Sequence, residues 1–471
     1  MHSRVLESAL ALRLLERTDS YPERQAALTR YLRAGSTCAD PLDRLVASTA
    51  LDRTGVPSSE LLDQFLAQAP DFTSSRKRAM LDGIFALWGH RPAGPWRPGA
   101  FSLTGLHCWA TVQVTALKVV LAECTGHHDA ISDEDVRLLL ETQRDDRVWE
   151  SNVLLYLWTL HALTGLPGTA QVVADGVRRV MAHQRPDGGM PFVSDTDTWC
   201  TATAGVALAA SGAPQSMLRR LAAHLVAQQQ PGGGWSYTDH SHQTDVDDTS
   251  VALQFLQGLD DRDYREPIAR GMRSLYAVRG SDGGFPTYVA GSPSEASMTA
   301  AALDALTVRW QQHSDIMMPG LEFLAEQQNT DGSFPPDWSS SRYHTIFRAL
   351  LVAGRNPDHQ PGHVQQMIKR AMTLLWEQQN TDGGWGQQDG SGSDPISTAY
   401  AVIALCGQDD PVPAAEGLRY LLAHQRADGG IDSVPDSIGP RPFIFAIPAL
   451  ADIFTLLAFG HLGRRLQRDP S

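Results

Sequence analysis

Gln379-Asn-Thr-Asp-Gly-Gly-Trp385 is the clearest copy of a phrase that recurs along the chain and decides its fold. Most copies follow an apolar segment, begin with glutamine and continue into Asp-Gly-Gly, or a variant of it, and an apolar or aromatic residue. The anchors of seven copies lie 41 to 51 residues apart, at Gln143, Gln184, Gln229, Arg279, Gln328, Gln379 and Gln425. Such regular spacing indicates a repeat architecture.

Each repeat is predicted to contain two helices. Asp-Gly-Gly is a turn signal, and glycine closes a helix by adopting the left-handed backbone conformation. A second apolar helix pattern follows the turn, as in Thr398 to Leu405, and no alternating strand pattern of useful length is found. We therefore predict an all-α fold of helical hairpins, in a ring with a central apolar pocket or in a stack. The repeat alone supports an enzyme and a protein-binding scaffold equally.

Composition excludes several classes of function. The 471 residues favour two domains, and a net charge of −14 offers no basic face for nucleic acid or for an anionic membrane. The five cysteines are scattered, which favours a reduced, cytoplasmic protein without a cysteine-based zinc site. The N-terminus lacks an apolar signal segment, and Pro448 and Asp452 interrupt the most apolar stretch, residues 443–460. We expect no signal peptide and no transmembrane segment.

Residues 245–249 read Asp-Val-Asp-Asp-Thr and begin an apolar helix pattern ten residues after Trp235. Alone, such a motif would usually be a solvated helix cap. Three carboxyls within four residues nevertheless oppose one another's ionisation, and burial in an apolar cavity acts in the same direction. One carboxyl can therefore keep its proton near neutral pH, which the protonation of a weakly basic alkene requires.

The repeats and the D-x-D-D motif together resemble squalene-hopene cyclases and their diterpene relatives, the class II terpene cyclases. The resemblance covers most of residues 135–455 and is closest from Gln379 to Leu405. It implies a catalytic α/α barrel of residues 1–20 and 215–471, a smaller inserted α/α barrel of residues 21–214, and an active site between them. It also implies that Asp247 donates the proton while Asp245 and Asp248 orient and polarise it.

A carbocation requires a dry pocket with electron-rich walls, which aromatic faces provide. Six aromatic residues follow the predicted barrel turns and are candidates for lining such a pocket, with core packing as the alternative for each: Trp235, Tyr237, Phe285, Tyr288, Trp338 and Tyr343.

The segment Leu160-His-Ala-Leu-Thr-Gly165 resembles the Leu-His-Ser-Leu-Glu-Gly segment of copalyl diphosphate synthases, where the histidine helps to position the terminal base or water. His161 is therefore a candidate for the final deprotonation, and a core histidine is the alternative. Thr299 is a candidate hydrogen-bond partner of Asp247. Ala301 and Leu303 stand where relatives carry a histidine or an asparagine beside the acid, so the sequence leaves open what tunes it.

Bacterial relatives often carry Asp-Lys-Trp after the fifth repeat, whereas this chain has Pro336-Asp-Trp338. Arg342 and Arg441 are instead the candidate ligands of a substrate diphosphate. Asp260-Asp-Arg-Asp263 has the wrong spacing for the D-D-x-x-D metal cluster of class I ionisation. A diphosphate should therefore survive the reaction, and Mg²⁺ is expected to bridge it to the protein.

These observations predict a class II cyclase that converts geranylgeranyl diphosphate into a bicyclic, labdane-type (copalyl-like) diphosphate. The first alternative is conversion of farnesyl diphosphate into a drimenyl-type diphosphate, and the second is a polyprene cyclase whose substrate has no diphosphate. A homodimer is compatible with the sequence. Two other classes stay open, a zinc protein prenyltransferase subunit, for which no ligand set is found, and a noncatalytic helical-repeat binding protein.

Overall fold

The computed structural model describes residues 2–37, 40–53, 58–90, 96–259, 262–355, 360–406 and 412–468. The chain forms two compact units, the first of Met1–Asp195 with Gly439–Phe445 and the second of Thr196–Ile438 with Ala446–Ser471. In both units helices dominate the described residues, and the strands are two residues long.

The elements follow one another as β1 (Ser3–Arg4), α1 (Val5–Arg17), α2 (Pro22–Gly35), α3 (Pro41–Asp52), α4 (Ser59–Leu66), α5 (Ser74–Ala86), α6 (Cys108–Thr125), α7 (Asp133–Glu141), α8 (Val153–Thr164), α9 (Ala170–Met181), β2 (Met190–Pro191), α10 (Asp197–Ala210), α11 (Gln215–Gln228), α12 (Val246–Gly258), α13 (Arg265–Val278), α14 (Ala296–Leu306), α15 (Ser314–Gln327), α16 (Tyr343–Ala353), α17 (Gly362–Glu377), α18 (Pro395–Leu405), α19 (Val412–Ala423), β3 (Ser437–Ile438), β4 (Ile444–Phe445) and α20 (Leu450–Arg468). Short 3₁₀ helices cover Asp71–Thr73, Pro98–Phe101, His128–Ala130, Trp149–Ser151, Arg262–Tyr264 and Thr307–His313.

The second unit is a closed ring of helices. Helices α10, α12, α14, α16, α18 and α20 each pack against the next, and α20 returns to α10. The intervening helices pack outside, α11 on α10, α13 on α12, α15 on α14, α17 on α16 and α19 on α18. The two layers differ in burial. Every residue of the inner helices α14 and α18 is buried, whereas the outer helices α13 and α17 bury one apolar face.

The first unit is a helical array in which α1 packs against α2, α3 and α8, and α6 packs against α5, α7 and α8. Helix α8 is buried along nearly its whole length, as its apolar sequence predicts. Strands β1 and β2 pair antiparallel, with Ser3 opposite Pro191 and Arg4 opposite Met190.

The Gln379 copy of the recurring phrase closes the outer helix α17 with three contacts. The Gln379 side-chain amide donates to the carbonyls of Gly383 and of Pro413, both at 2.9 Å. Gly383 has a φ of 86°, and a Cβ there would lie 2.8 Å from the Glu416 carbonyl oxygen, so both the turn and the close approach require glycine. The Trp385 indole N–H donates to the Leu375 carbonyl at 2.8 Å. The phrase therefore fixes the end of the helix by side-chain hydrogen bonds to the backbone of the same and the next hairpin.

The all-α fold built from α/α-barrel repeats is confirmed. The division of the chain differs from the predicted boundaries, because residues 1–20 lie in the first unit and the change of unit falls at residues 195/196 instead of 214/215. The physical reason is that the apolar face of α1 packs against α2, α3 and α8.

Candidate functional site

The D-x-D-D motif lies at the start of α12, on the inner ring of the second unit. Asp245 is the N-cap residue, and its carboxylate accepts the backbone N–H of Asp248 at 2.8 Å. The Asp248 side chain is buried, with 3% of its surface exposed. An aspartate at the N-cap and two more in the first helical turn follow the preference of helix N-termini for negative charge.

Asp247 is held by two side chains distant in sequence. The Arg348 guanidinium donates to Oδ1 at 2.5 Å, and the Trp199 indole N–H donates to Oδ2 at 3.1 Å. The Asp247 side chain is 19% exposed and that of Arg348 only 8%. This pair is therefore mostly shielded from water. An ion pair in such a buried environment interacts much more strongly than one at the surface.

The three carboxyls differ in their affinity for a proton. Burial raises the pKa of Asp247, but the charges of Arg348 and His344 and the hydrogen bonds from Arg348 and Trp199 outweigh it, so the pKa lies below its usual value. Burial raises the pKa of Asp245 to about 7. Burial, together with the charge of Asp245 and a hydrogen bond to it, raises the pKa of Asp248 well above its usual value. The proton retained by this motif thus resides on the pair formed by Asp245 and Asp248, and Asp247 is ionised.

The sequence predicted three mutually repelling carboxyls but missed the arginine that neutralises one of them. Arg348 also faces Asp304, a buried carboxyl whose pKa burial raises and to which Gln254 donates at 2.9 Å. A signal for Arg348 was present, because it is the only charged side chain besides a histidine in the apolar helix Tyr343–Ala353. Buried arginines on apolar helices are almost always paired.

The proton held by Asp245 should make the stability of the fold depend on pH. Because the folded pKa is raised to about 7, the native state binds this proton more tightly than the unfolded chain does. Its stabilising contribution is complete below about pH 4 and disappears as the pH rises through 7. Asp245→Asn keeps the N-cap and removes the titration. The variant should therefore be more stable than wild type at pH 8 by on the order of 2 kcal/mol.

Urea unfolding at pH 5 and at pH 8 measures this difference. Asp315→Asn, at an exposed aspartate in the first turn of α15, serves as the control and should follow the wild-type slope. Equal pH dependence of wild type and Asp245→Asn would show that Asp245 titrates normally.

The structure divides the six predicted lining aromatics into two groups. Trp235 and Phe285 are fully buried at barrel turns, and the Trp235 indole donates to the Leu225 carbonyl at 2.7 Å, so these two rings close repeats instead of facing a cavity. Tyr343 is also buried. The others are half-buried, and the rings of Tyr288 and Trp338 meet edge to face with centroids 6.1 Å apart.

Thr299 does not contact Asp247. Its hydroxyl accepts the backbone N–H of Phe285 at 2.9 Å. Thr249 and Thr398 accept the backbone N–H of Trp235 and Trp385 in the same way, at 3.1 and 3.0 Å. The threonine is therefore a structural part of the repeat.

His161 is a core residue of the first unit. The ring is 1% exposed, its Nε2 bonds the Leu10 carbonyl at 2.9 Å, and its Nδ1 lies 3.3 Å from Arg17. Burial and the neighbouring Arg17 charge lower its pKa to about 3. With both ring nitrogens engaged, His161 has no free site to accept a substrate proton, so this environment favours the structural role.

The two candidate diphosphate ligands have different surroundings. Arg342 is already paired with Asp331 at 3.0 Å and with Asp389, which leaves no vacant charge for a diphosphate. Arg441 lies in the first unit with 5% of its surface exposed. Its charge adds to burial in lowering the pKa of Lys77 well below the usual value. Arg441 as a diphosphate ligand stays a prediction.

Within the described ranges, no group of three or more His, Cys, Asp or Glu side chains is arranged to hold a metal ion. These residues alone therefore do not fit a protein-held Mg²⁺ site. The segment Asp260-Asp261 lies outside the described residues. None of the helices in the described ranges combines the length and apolar character that crossing a membrane requires.

Sequence comparisons identify relatives of this arrangement. Residues 289–464 match the family "Squalene-hopene cyclase C-terminal domain", and residues 140–334 match "Prenyltransferase alpha-alpha toroid domain". Drimenyl diphosphate synthase from Streptomyces showdoensis is 37% identical, over 98% of this chain and 89% of that protein. Drimenyl diphosphate synthase from Streptantibioticus cattleyicolor is 38% identical, over 98% of this chain and 90% of that protein.

Among solved structures, ent-copalyl diphosphate synthase from Streptomyces platensis superposes with a TM-score of 0.55 at 17% identity, over 94% of this chain and all of that one. This likeness concerns the fold alone. The similarity to the two drimenyl diphosphate synthases extends over nearly the whole chain, at more than a third of positions identical. The chain therefore belongs to the class II terpene cyclase family.

Proposed function

We propose that this chain cyclises farnesyl diphosphate to a drimenyl-type bicyclic diphosphate and retains the diphosphate. Two relatives with this printed activity, each aligned over 98% of the chain, support the fifteen-carbon substrate. They favour the first alternative from the sequence over the geranylgeranyl substrate. A bound Mg²⁺, a cytoplasmic location and a homodimer stay predictions.

The environment of Asp247 is the main support for a reaction that begins with protonation of an alkene. An alkene accepts a proton only from an acid whose conjugate base is strongly stabilised, and Arg348 and Trp199 aim one donor at each Asp247 oxygen. These donors stabilise the carboxylate as the proton leaves it, which lowers the barrier to protonation. They supply polar contacts to the acid that Ala301 and Leu303, at the positions where relatives carry a histidine or an asparagine, cannot make.

In the proposed reaction, the Asp247 carboxyl gives its proton to the terminal double bond of the substrate. The resulting tertiary cation is attacked by the next two double bonds in turn, which closes two rings and moves the positive charge to a ring carbon. Loss of a neighbouring proton then forms the product alkene. Asp247 is ionised in the present state, so it must first be reprotonated, and the Asp245–Asp248 pair holds a proton within the same helical turn.

Incubation with farnesyl diphosphate, geranylgeranyl diphosphate and squalene in parallel tests the substrate. Mass spectrometry of the intact product and, after phosphatase treatment, of the alcohol identifies the skeleton. We expect a bicyclic fifteen-carbon diphosphate and at least about a tenfold lower kcat/KM for the twenty-carbon substrate. Preference for geranylgeranyl diphosphate would instead support the prediction from the sequence that the product is a labdane-type diphosphate. Failure of the folded protein to cyclise any of them would favour a helical-repeat binding protein.

A further inference from the structure

A buried histidine–aspartate pair lies on the same inner ring as the acid. His344 is 5% exposed, and its Nδ1 lies 2.9 Å from Oδ2 of Asp337. Asp337 also accepts the Thr345 hydroxyl and the Ser339 backbone N–H, both at 2.6 Å. These bonds fix both the carboxylate and the ring that it faces. The pair includes the central residue of the Pro336-Asp-Trp338 segment, for which the sequence offered no role.

The hydrogen bonds determine the tautomer of His344. Burial raises the pKa of Asp337, but the charge and hydrogen bond of His344 and the bonds from Thr345 and Ser339 outweigh it, so the pKa lies below its usual value. An ionised carboxylate only accepts hydrogen bonds, so in the neutral form of His344 the ring proton belongs on Nδ1 and the lone pair on Nε2. Within the described part of the chain, Nε2 has no hydrogen-bond partner. This nitrogen is available to accept a proton.

The surroundings of His344 suit a carbocation. Its ring centroid lies 5.3 Å from that of Tyr400 and 5.8 Å from that of Phe347. Phe454 meets Tyr400 edge to face at 4.7 Å. Aromatic faces stabilise a nearby cation without reacting with it.

The distance between His344 and the arginine that contacts the acid matches the size of a bicyclic product. His344 and Arg348 are four residues apart on α16, so they share a helix face and are separated by about 6 Å along the axis. Arg348 contacts Asp247 directly. A separation of one helical turn is comparable with the length of two fused six-membered rings.

We propose that Nε2 of His344 is the base that ends the cyclisation, with Asp337 positioning the ring. This inference rests on the cyclase function proposed above. A C–H bond next to the cationic ring carbon breaks, its electron pair forms the new double bond, and the proton moves to Nε2. The resulting imidazolium is stabilised by the Asp337 carboxylate. The imidazolium then releases its proton to water and the Asp247 carboxylate takes up a proton from water, so the cycle is an isomerisation without net proton change.

The test compares product distributions of His344→Phe and Asp337→Asn with wild type on farnesyl diphosphate. Without the base, the final cation should be captured by water or lose a different proton. Most of the His344→Phe product should therefore be bicyclic alcohols or isomeric alkenes, with substrate consumption within about tenfold of wild type. Asp337→Asn should shift the products in the same direction. The control His313→Phe changes a histidine of the same unit whose Nδ1 bonds the Tyr276 hydroxyl, and should leave the products unchanged.

Two results would overturn the proposal. One is an unchanged single alkene from both variants. The other is slower turnover with an unchanged product, which would show that the pair only tunes Asp247. Thermal unfolding checks that each variant is folded, and Asp337→Asn retains the test if His344→Phe is not. If wild type itself forms no cyclic product, the proposed function fails instead, so the two failures are distinguishable.

Discussion

Asp247→Asn should lose at least about a thousandfold in kcat on farnesyl diphosphate, because an amide has no acidic proton to give to an alkene. Asparagine has nearly the same shape, and its one amide oxygen can still accept a hydrogen bond from Arg348, while its NH₂ group replaces the oxygen that accepts from Trp199. Helix α12 keeps its N-cap at Asp245. We therefore expect the fold to persist, with a stability cost of about 1–3 kcal/mol for the weakened charge pair.

The measurement is single-turnover product formation by mass spectrometry, together with circular dichroism melting. Asp315→Asn is the matched control, since Asp315 is also in the first turn of a helix of the second unit but is exposed. It should retain wild-type activity. Full activity of Asp247→Asn would remove Asp247 as the acid.

Arg348→Met should lower kcat by about a hundredfold, since the carboxylate that forms on Asp247 loses its main counter-charge in a buried site. Burial, now opposed mainly by the His344 charge and the Trp199 bond, should raise the pKa of Asp247. The acid then keeps its proton more readily but gives it up less readily. The limb of the kcat/KM profile that reports ionisation of Asp247 should therefore move to higher pH.

The pH profile separates this role from a purely structural one, which would lower activity without moving the limb. Arg348→Lys should recover part of the activity, because it restores a charge without the planar guanidinium. An Arg348→Met variant with wild-type turnover and an unmoved profile would contradict the account.

The architecture could be predicted from the sequence because the repeated residues make contacts within one hairpin or with the next one. The glutamine, the positive-φ glycine and the buried tryptophan of the phrase Gln379 to Trp385 contact residues of the same or the adjacent hairpin. The start of α12 at the D-x-D-D motif was predictable for the same reason. Local signals of this kind are preserved in a single sequence.

The chemistry of the site was less predictable, because it depends on contacts across the ring. Arg348 is 101 residues from Asp247, and Trp199 is 48 residues before it. Helices α12 and α16 are brought near each other only because both pack against α14. For the same reason, the sequence could not show that Trp235 and Phe285 are used to close repeats, or that Arg342 is occupied by Asp331 and Asp389.

The role of His344 illustrates the limit further. His161 lies in a segment with a family resemblance, but its surroundings engage both ring nitrogens. His344 lies in no segment with such a resemblance, yet it has one nitrogen held by Asp337. Which histidine can accept a proton is determined by its hydrogen-bond partners, which only the folded chain reveals.

Cyclisation of farnesyl diphosphate in D₂O measures most directly whether a solvent-exchangeable carboxylic acid starts the reaction. The account predicts one deuterium in each product molecule, on the ring carbon that was the terminal alkene CH, with the diphosphate intact. A product without deuterium at that carbon, or release of inorganic diphosphate as the rings form, would contradict it.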